Sequence, residues 1–306
     1  MSQPKVSLGQ WLALVAVVEA GGYAQAAEQL HKSQSAVSHA VQRLEDLLGV
    51  KAFEIQGRKA ELTPAGQVLY RRGRTLLAEA MRLERAAGEL AGGWEAELRV
   101  AMEIIFPTWL MLRCLARFGA EHPEMRVELY ESVLGGTDEL LLEGQVDLAI
   151  GSRVPPGLLG DPLMPVEFVC AAAPAHPLHH LGRPATLDDL RNHRHLVIRE
   201  TGTRRSRETT TVDSGQRWTV SNKATSIRAA RMGLGYAWFA EDNIREELDS
   251  GQLRPVPLVA GAQRRTTLYL IHADQEASGP GARRLAEILA EDVRRNCEQV
   301  RAAATN

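Results

Sequence analysis

The run from residue 24 to residue 39, AQAAEQLHKSQSAVSH, constrains this 306-residue chain more than any other segment. Ala26, Ala27 and Leu30 recur at helical spacing, which predicts a short helix with one buried face. Ser33 has the position and side chain of a helix N-cap, so a second helix is expected directly after a tight connection. The segment therefore predicts two helices joined by a short turn.

The second helix of this pair has two distinct faces. Four apolar residues at helical spacing form its predicted buried stripe: Val37, Val41, Leu44 and Leu48. Gly49 is the expected C-cap. The N-cap and the outward face supply six candidate DNA contacts: Ser33, Gln34, Ser35, Ser38, His39 and Arg43. Short polar side chains at a helix N-terminus bind phosphates and base edges, which predicts a helix-turn-helix whose second helix enters the DNA major groove. The alternative is a polar face on an ordinary helical pair.

The next residues are typical of a β-hairpin with a basic tip. Residues 53–55 and 59–62 have the character of two short strands, and Arg58 and Lys59 lie at the turn between them. Thr63 and Pro64 then cap and begin a new helix. This order of elements defines a winged helix-turn-helix, so we expect Arg58 and Lys59 to contact DNA as well.

The first 66 residues resemble the N-terminal domain of LysR-type transcriptional regulators. Many positions carry the match: Gly21-Gly22-Tyr23, Ala26-Ala27, Leu30, Ser33 to Ser38, Leu44-Glu45, Leu48-Gly49, Phe53 and Leu62 to Gly66. The resemblance implies a transcription factor that binds double-stranded DNA at a two-fold operator and responds to a small organic effector. It also implies a homodimer or homotetramer, with RNA polymerase as a candidate partner. One departure is Ile55, where the family usually has an arginine in the wing strand; Arg58 and Lys59 are the expected substitutes.

The helix predicted for residues 63–92 carries a leucine every seven residues: Leu69, Leu76, Leu83 and Leu90. Small residues, Gly73 among them, alternate with these leucines, and such a seam lets two helices approach closely. We predict a dimerisation helix, because the polar remainder leaves only one seam to bury. The alternative is that this stripe packs on its own domain. Gly92 and Gly93 mark the expected domain boundary.

Strand and helix patterns alternate in the remainder of the chain. Strands at 97–102, 127–130 and 146–150, with helices between them, predict a βαβαβ unit with a parallel sheet. A second such unit is predicted between residues 167 and 239, and a last strand and helix at 267–295.

These patterns predict a chain of three parts. A winged helix-turn-helix (1–62) and a linker helix (63–92) precede an α/β effector domain (93–306). The effector domain resembles a periplasmic binding protein with two lobes. Lobe I is predicted at about 93–163 and 267–306, and lobe II at about 164–266.

Ligands of open α/β sheets bind at the carboxyl ends of the strands. Six residues near these ends are candidate effector contacts: Glu103, Ile104, Ile105, Thr203, Thr225 and Ser226. Hydroxyls at helix starts suit a carboxylate. Glu103 and Ile104, however, stand where many relatives of the resembled family have Ser or Thr, which weakens the case for a simple carboxylate. Each residue is equally explained as a helix cap or part of a surface loop.

Other classes of protein receive little support. No stretch approaches the ~20 apolar residues of a membrane span, and no secretory signal begins the chain, so we expect a cytoplasmic protein. Five histidines between residues 176 and 195 match no zinc spacing, and we expect no metal, cofactor or catalytic residue. The net charge of −2 gives no basic signature, so the motif alone predicts DNA binding. The alternative is a small-molecule binder or enzyme on a binding-protein fold with an accessory helix-turn-helix.

Overall fold

The chain divides into two compact units, Met1–Ala91 and Gly92–Asn306. The computed structural model describes residues 4–56, 59–90, 94–203, 214–259, 264–276 and 278–305. Within these ranges, no helix is both long and apolar enough to cross a membrane.

The N-terminal unit begins with α1 (Leu8–Glu19), α2 (Tyr23–Gln29) and α3 (Gln34–Leu48). The predicted N-cap is confirmed, since the Ser33 hydroxyl accepts a hydrogen bond from the Ala36 N–H at 3.2 Å. Gly49 ends α3 in the left-handed conformation, also as predicted. α1, the helix that precedes this pair, supplies the other side of the core.

The buried stripe of α3 is mostly as predicted. Val37, Val41 and Leu44 are buried against α1 and α2. The prediction for Leu48 is wrong: its side chain is 37% exposed. It occupies the last turn of the helix, and Glu45, one turn earlier, is buried instead.

The predicted wing is confirmed as an antiparallel hairpin of β1 (Phe53–Gln56) and β2 (Lys59–Leu62), with Phe53 paired to Leu62. Arg58 lies outside the described residues, and of Lys59 the backbone alone is described. The Thr63 hydroxyl accepts from the Gly66 N–H at 2.9 Å and donates to the Lys51 carbonyl at 2.6 Å. Thr63 thereby caps α4 (Pro64–Leu90) and ties its start to the wing.

The first half of α4 packs within its own unit. A Cβ on Gly73 would lie 2.9 Å from the Trp11 ring of α1, and Leu69 packs against the cluster that contains Leu14 and Leu44. The close approach at Gly73, predicted for a second copy, is therefore made to α1. Further along the same helix, Leu76 and Leu83 are 44% and 67% exposed. The side chain of Leu90 lies outside the described residues.

Lobe I of the C-terminal unit confirms the predicted βαβαβ order. Its parallel strands are β3 (Glu97–Glu103), β4 (Arg126–Ser132) and β5 (Leu148–Gly151), with β3 in the middle. The crossovers are α5 (Thr108–Glu121) and α6 (Gly135–Leu142), and α10 (Pro280–Thr305) packs beside α5. All four residues of β5 are buried, as expected for a strand covered on both faces.

Two long antiparallel strands join the lobes. β6 (Gly160–Ala172) pairs with β11 (Arg264–His272) from Gly160↔Ile271 to Arg264↔Phe168. The sequence interpretation began this second unit at residue 167, whereas β6 begins at Gly160 and includes Pro162 and Pro165, residues that are uncommon in a strand interior. Both prolines are accommodated, and they lie on either side of a register shift in the β11 pairing.

The prediction of a second parallel unit is wrong. β9 (Ala237–Ala240) and β10 (Arg254–Pro255) both pair antiparallel with β6. A separate parallel pair consists of β7 (His195–Ile198) and β8 (Arg217–Val220), and β8 had no clear sequence pattern because its residues are mostly exposed. The helices of this lobe are α7 (Leu187–Arg191), α8 (Lys223–Arg231) and α9 (Arg245–Asp249).

The buried carboxylate of Glu45 anchors the wing to α3. Its Oε1 accepts from the backbone N–H groups of Ala52 (2.8 Å) and Phe53 (3.2 Å), and its Oε2 lies 2.7 Å from Lys51 Nζ. Burial by itself raises the pKa of Glu45, but the hydrogen bonds from Lys51 and the two backbone donors outweigh it, so the pKa lies below its ordinary value.

We expect Glu45→Ala to lower the free energy of unfolding by about 1–3 kcal/mol, because a buried backbone donor loses its acceptor. Since the folded-state pKa of Glu45 is lowered, its stabilisation is present above the ordinary glutamate pKa of about 4.3 and is lost as the pH falls through the folded-state value. Urea unfolding of wild type, Glu45→Ala and Glu45→Gln between pH 3 and 7 measures both effects, since Glu45→Ala removes the acceptor and Glu45→Gln removes only the titration. Identical pH profiles for wild type and Glu45→Gln would contradict this role.

Candidate nucleic-acid interface and ligand cleft

The candidate DNA contacts on α3 form one exposed strip. All six are exposed, on the face of α3 opposite its buried stripe: Ser33, Gln34, Ser35, Ser38, His39 and Arg43. Ser33 and Ser35 place their hydroxyl oxygens 3.0 Å apart at the helix N-terminus. Among the described residues, the side chains of Gln34, Ser38 and His39 have no hydrogen-bond partner, so their donors and acceptors face solvent.

The turn before α3 has a defined geometry that was not predicted from the sequence. His31 adopts a left-handed conformation with φ 52°, although it is not glycine. The Lys32 N–H donates to the Ala27 carbonyl at 2.9 Å and the His31 N–H to the Glu28 carbonyl at 3.1 Å. This pair of bonds is a Schellman closure of α2. It sets the direction in which the chain enters α3.

A second candidate site is the inter-lobe cleft, which we define by residues 103–108 and 132–139 of lobe I and residues 199–203, 222–226 and 243 of lobe II. Parallel strands β3 and β4 end on its lobe I side, and β7 and the start of α8 lie on its lobe II side. Of the predicted effector residues, Ile104 and Thr203 take part in hydrogen bonds between the two lobes, whereas the Ile105 side chain packs against the core of lobe I.

Glu103 is buried at the end of β3, and its carboxylate already has hydrogen-bond partners within lobe I. Its side chain is 3% exposed, and its carboxylate accepts from the Ser152 N–H at 2.6 Å and from the backbone of Leu134. Burial raises the pKa of this carboxyl above its ordinary value. Because Ser152 follows β5 and Leu134 follows β4, Glu103 ties together the ends of three neighbouring strands.

Lys223 crosses the cleft from the first position of α8. Its Nζ donates to the Ile104 carbonyl at 3.1 Å and to the Thr108 hydroxyl at 2.9 Å, both in lobe I. Asn243 donates to the same Ile104 carbonyl at 2.9 Å. Burial lowers the pKa of Lys223 and the nearby Glu131 carboxylate opposes that shift, while the oxygens that accept hydrogen bonds from the ammonium are all neutral. A desolvated cation therefore faces the cleft.

The segment after β7 docks onto the N-terminus of α6. We call residues 200–203 the strap. Glu200 Oε1 accepts from the Gly135 N–H at 3.1 Å, and Thr201 Oγ1 accepts from the Val133 N–H at 2.9 Å. The Thr203 N–H and hydroxyl both donate to the Glu139 carboxylate, at 2.8–2.9 Å. The predicted effector residue Thr203 thus holds the two lobes together in this state.

The two hydroxyls predicted on α8 have different environments. Asn222 is the N-cap, and its Oδ1 accepts from the Ala224 and Thr225 N–H groups. Thr225 is exposed, whereas Ser226 is 1% exposed and its hydroxyl has no partner among the described residues. Ser226 lies three positions after Lys223, hence on the same side of the helix. The first turn of α8 therefore carries both a buried hydroxyl without a partner and the lysine that bridges the lobes.

The other side of α8 borders a separate pocket of about 820 Å³ on lobe II, open to solvent. Arg228, Arg231 and Glu247 supply its charged lining. None of the predicted effector residues lines it. Ala224 is the one pocket-lining residue that also belongs to the ranges that define the inter-lobe cleft.

Comparison with known proteins assigns the chain to a family. Residues 8–67 match the model for the bacterial regulatory helix-turn-helix protein, lysR family, and residues 91–294 match the LysR substrate binding domain. The chain is 30% identical over 256 residues to the uncharacterized HTH-type transcriptional regulator YeeY of Escherichia coli strain K12, covering 81% of this chain and 82% of that protein. It is 31% identical over 248 residues to the probable HTH-type transcriptional regulator YhaJ of the same strain, covering 79% and 82%.

Solved structures share the fold. ArgP from Mycobacterium tuberculosis aligns with a TM-score of 0.63 at 21% identity, over 93% of this chain and 96% of that one. Full-length CbnR complexed with its target DNA aligns with a TM-score of 0.57 at 22% identity, over 94% and 100%. The chain belongs to the LysR family of transcriptional regulators, with an N-terminal DNA-binding helix-turn-helix and a C-terminal effector-binding domain.

Sequence reasoning missed the residues that cross the cleft. Lys223, Glu139 and Asn243 come from three separate segments, and no local pattern marks any of them. Glu200 and Thr201 directly follow a predicted strand and could have been found by the rule that strand ends form sites.

We expect Gly136→Ala to lower the free energy of unfolding by about 1–3 kcal/mol, because the added methyl overlaps the Thr201 hydroxyl and separates the strap from α6. Gly119→Ala is the matched control: Gly119 lies inside α5 with open space around it, so alanine there stabilises by about 0.5–1 kcal/mol. Urea unfolding of the full chain compares the two. Equal effects from both substitutions would mean that the strap is not docked at Gly136.

Proposed function

We propose that this regulator reads a two-fold DNA site with α3 and the wing, and that a small anionic effector in the inter-lobe cleft controls it. The observation that carries the DNA half is the exposed polar strip on α3. The observation that carries the effector half is the partly buried ammonium of Lys223, which bridges the lobes from the same turn of α8 that carries the unpartnered hydroxyl of Ser226.

The exposed strip of α3 suits direct contact with base edges. Gln34 offers a donor and an acceptor on one side chain, the pattern that matches adenine, and Ser38 and His39 add single groups one turn later. Ser33 and Ser35 at the helix N-terminus suit a phosphate. We assign Arg58 and Lys59 of the wing to backbone contacts on sequence grounds. Binding to chromosomal DNA would place the protein in the cytoplasm.

A homodimer through the second half of α4 fits this mode of binding. Leu76 and Leu83 lie seven residues apart and expose apolar side chains that Trp11 and α1 do not cover. A two-fold dimer presents two copies of α3 to a two-fold operator. The first leucine, Leu69, is occupied within its own unit and contributes less to such a seam.

An anion is the ligand class that the cleft favours. Lys223 donates its hydrogen bonds to neutral oxygens, and Ser226, three positions later in α8, has an unused donor. A carboxylate or other oxyanion at the start of α8 would pair with both and with the positive end of the helix. The strap, through Glu200 and Thr203, is the element that such a ligand would compete with or rearrange.

The effector need only distinguish two arrangements of the lobes. The strap and Lys223 make the inter-lobe contacts of the present arrangement, and a ligand that breaks or reinforces them shifts the equilibrium. A coupling of about 1–3 kcal/mol corresponds to roughly 5- to 150-fold in DNA affinity or in the spacing preference of the operator.

For DNA binding, we expect Gln34→Ala and Ser38→Ala each to weaken specific binding by about 5- to 150-fold, the cost of one base contact of 1–3 kcal/mol. Fluorescence anisotropy with the DNA upstream of the protein's own gene, against a scrambled duplex, measures both affinity and specificity. Gln216→Ala, an exposed glutamine of the C-terminal unit, is the control and should change neither. Unchanged affinity and base preference in both α3 variants would exclude this helix as the reader.

For the effector, we expect a screen of small organic acids by thermal unfolding of the full chain to find a ligand that raises the midpoint. Lys223→Met should weaken that ligand by about 10- to 100-fold through loss of a charge-assisted hydrogen bond, and Ser226→Ala by less. The control is Arg228→Met, which removes a cation from the other side of α8. A ligand that binds both cleft variants with wild-type affinity would move the site elsewhere.

A further inference from the structure

Lobe II contains buried hydrogen-bond donors that nothing in the described chain satisfies. Tyr236 is fully buried, immediately before β9, and its hydroxyl has no partner. Trp238, two residues on, has a buried indole N–H with no partner. An unsatisfied buried donor is costly, and native proteins leave few of them. Two such donors within one strand therefore indicate a missing acceptor.

A cation lies against the same group of side chains. The Arg264 guanidinium is 3.7 Å from the centre of the Trp238 ring. Burial lowers the pKa of Arg264, and within the described residues this side chain has neither a carboxylate partner nor a hydrogen bond. Its neighbour Arg265 differs, because it has a carboxylate partner, Glu167, at 2.8 Å.

The register of the sheet explains why these groups meet. Arg264 pairs with Phe168 across β11 and β6, and Trp238 pairs with Cys170 across β9 and β6. Positions 168 and 170 lie on one face of β6, so Arg264 and Trp238 share that face. Tyr236 precedes Trp238 by two residues, and it packs in one cluster with Trp238 and Cys170. Arg265, displaced by one residue, faces the opposite side.

All of these groups donate, and one of them is positively charged. The guanidinium, the indole N–H and the phenol O–H are all hydrogen-bond donors, and the Cys170 thiol is a weak one. A water molecule could accept from two of them, but it would leave the guanidinium without a counter-charge. An oxyanion satisfies both requirements. Trp238 and Arg264 are half-buried, so the group is reached from solvent, whereas Tyr236 closes its inner end.

We propose that this face of lobe II, at Tyr236, Trp238 and Arg264, is a binding site for a small oxyanion, either a carboxylate or an inorganic anion. It shares no residue with the inter-lobe cleft, and its ligand is held by donors on β9 and β11. Since β6 and β11 connect the lobes, an anion bound here stabilises the lobe II end of that connection.

The test is anion-dependent stability of the full chain. Thermal unfolding is followed at constant ionic strength while chloride is replaced by acetate or by nitrate. We expect a saturable rise of the midpoint with at least one oxyanion in wild type, and its loss in Arg264→Gln. Arg265→Gln, the adjacent arginine on the other face, should respond as wild type. Acetate against nitrate separates an organic acid from an inorganic anion as the source.

Tyr236→Phe distinguishes a ligand site from an empty one. With a bound oxyanion, the variant should need at least a 5-fold higher anion concentration for the same rise. If its hydroxyl has no ligand, Tyr236→Phe should be as stable as wild type or more so in every anion, because removing an unsatisfied hydroxyl has no cost. That result, or a linear rise that Arg264→Gln shares and that marks an adventitious ion only, would overturn the proposal.

Arg264→Lys, which keeps the positive charge, replaces Arg264→Gln if that variant does not fold. Arg264→Lys should bind the anion at least 5-fold more weakly than wild type, and a wild-type response would overturn the proposal.

Discussion

The antiparallel pairing of β6 with β11 is the constraint on which the C-terminal unit depends. Lobe I contributes β5 to one side of β11, and lobe II contributes β9 and β10 to the far end of β6. A ladder of backbone hydrogen bonds, interrupted by one register shift, joins the lobes and resists shear, because slipping by one residue would turn every side chain to the wrong face. The ladder leaves bending and twisting as the easier relative motions of the lobes.

The inter-lobe cleft contains two charged side chains that are largely removed from water. Glu103 and Lys223 are both desolvated, and they are not paired with each other: Glu103 is satisfied by backbone N–H groups of lobe I, and Lys223 by neutral oxygens across the cleft. Keeping an ammonium away from water with neutral partners is less favourable than pairing it with an anion. The strap supplies a protein carboxylate, Glu200, at the start of α6.

In the N-terminal unit, several contacts hold α3 in a fixed position. Left-handed His31 and its Schellman bonds fix the turn, and Glu45 ties α3 to the start of the wing. Gly73 lets α4 lie directly against Trp11 of α1. Each of these contacts restricts the position of α3. The left-handed conformation of His31 costs about 1–3 kcal/mol, which the surrounding packing offsets.

By itself, the sequence determined everything that depends on local period and local chemistry. Helical spacing placed Val37, Val41 and Leu44 in the core, a serine cap located the start of α3, and alternating strand and helix patterns predicted lobe I. Contacts between distant segments were decided only by the tertiary structure. Strand direction in lobe II, the partner of Gly73 and the bridge from Lys223 to Ile104 each depend on residues more than 50 positions apart. The physical reason is that local propensity limits which face is apolar, whereas packing of the whole chain selects the surface that covers it.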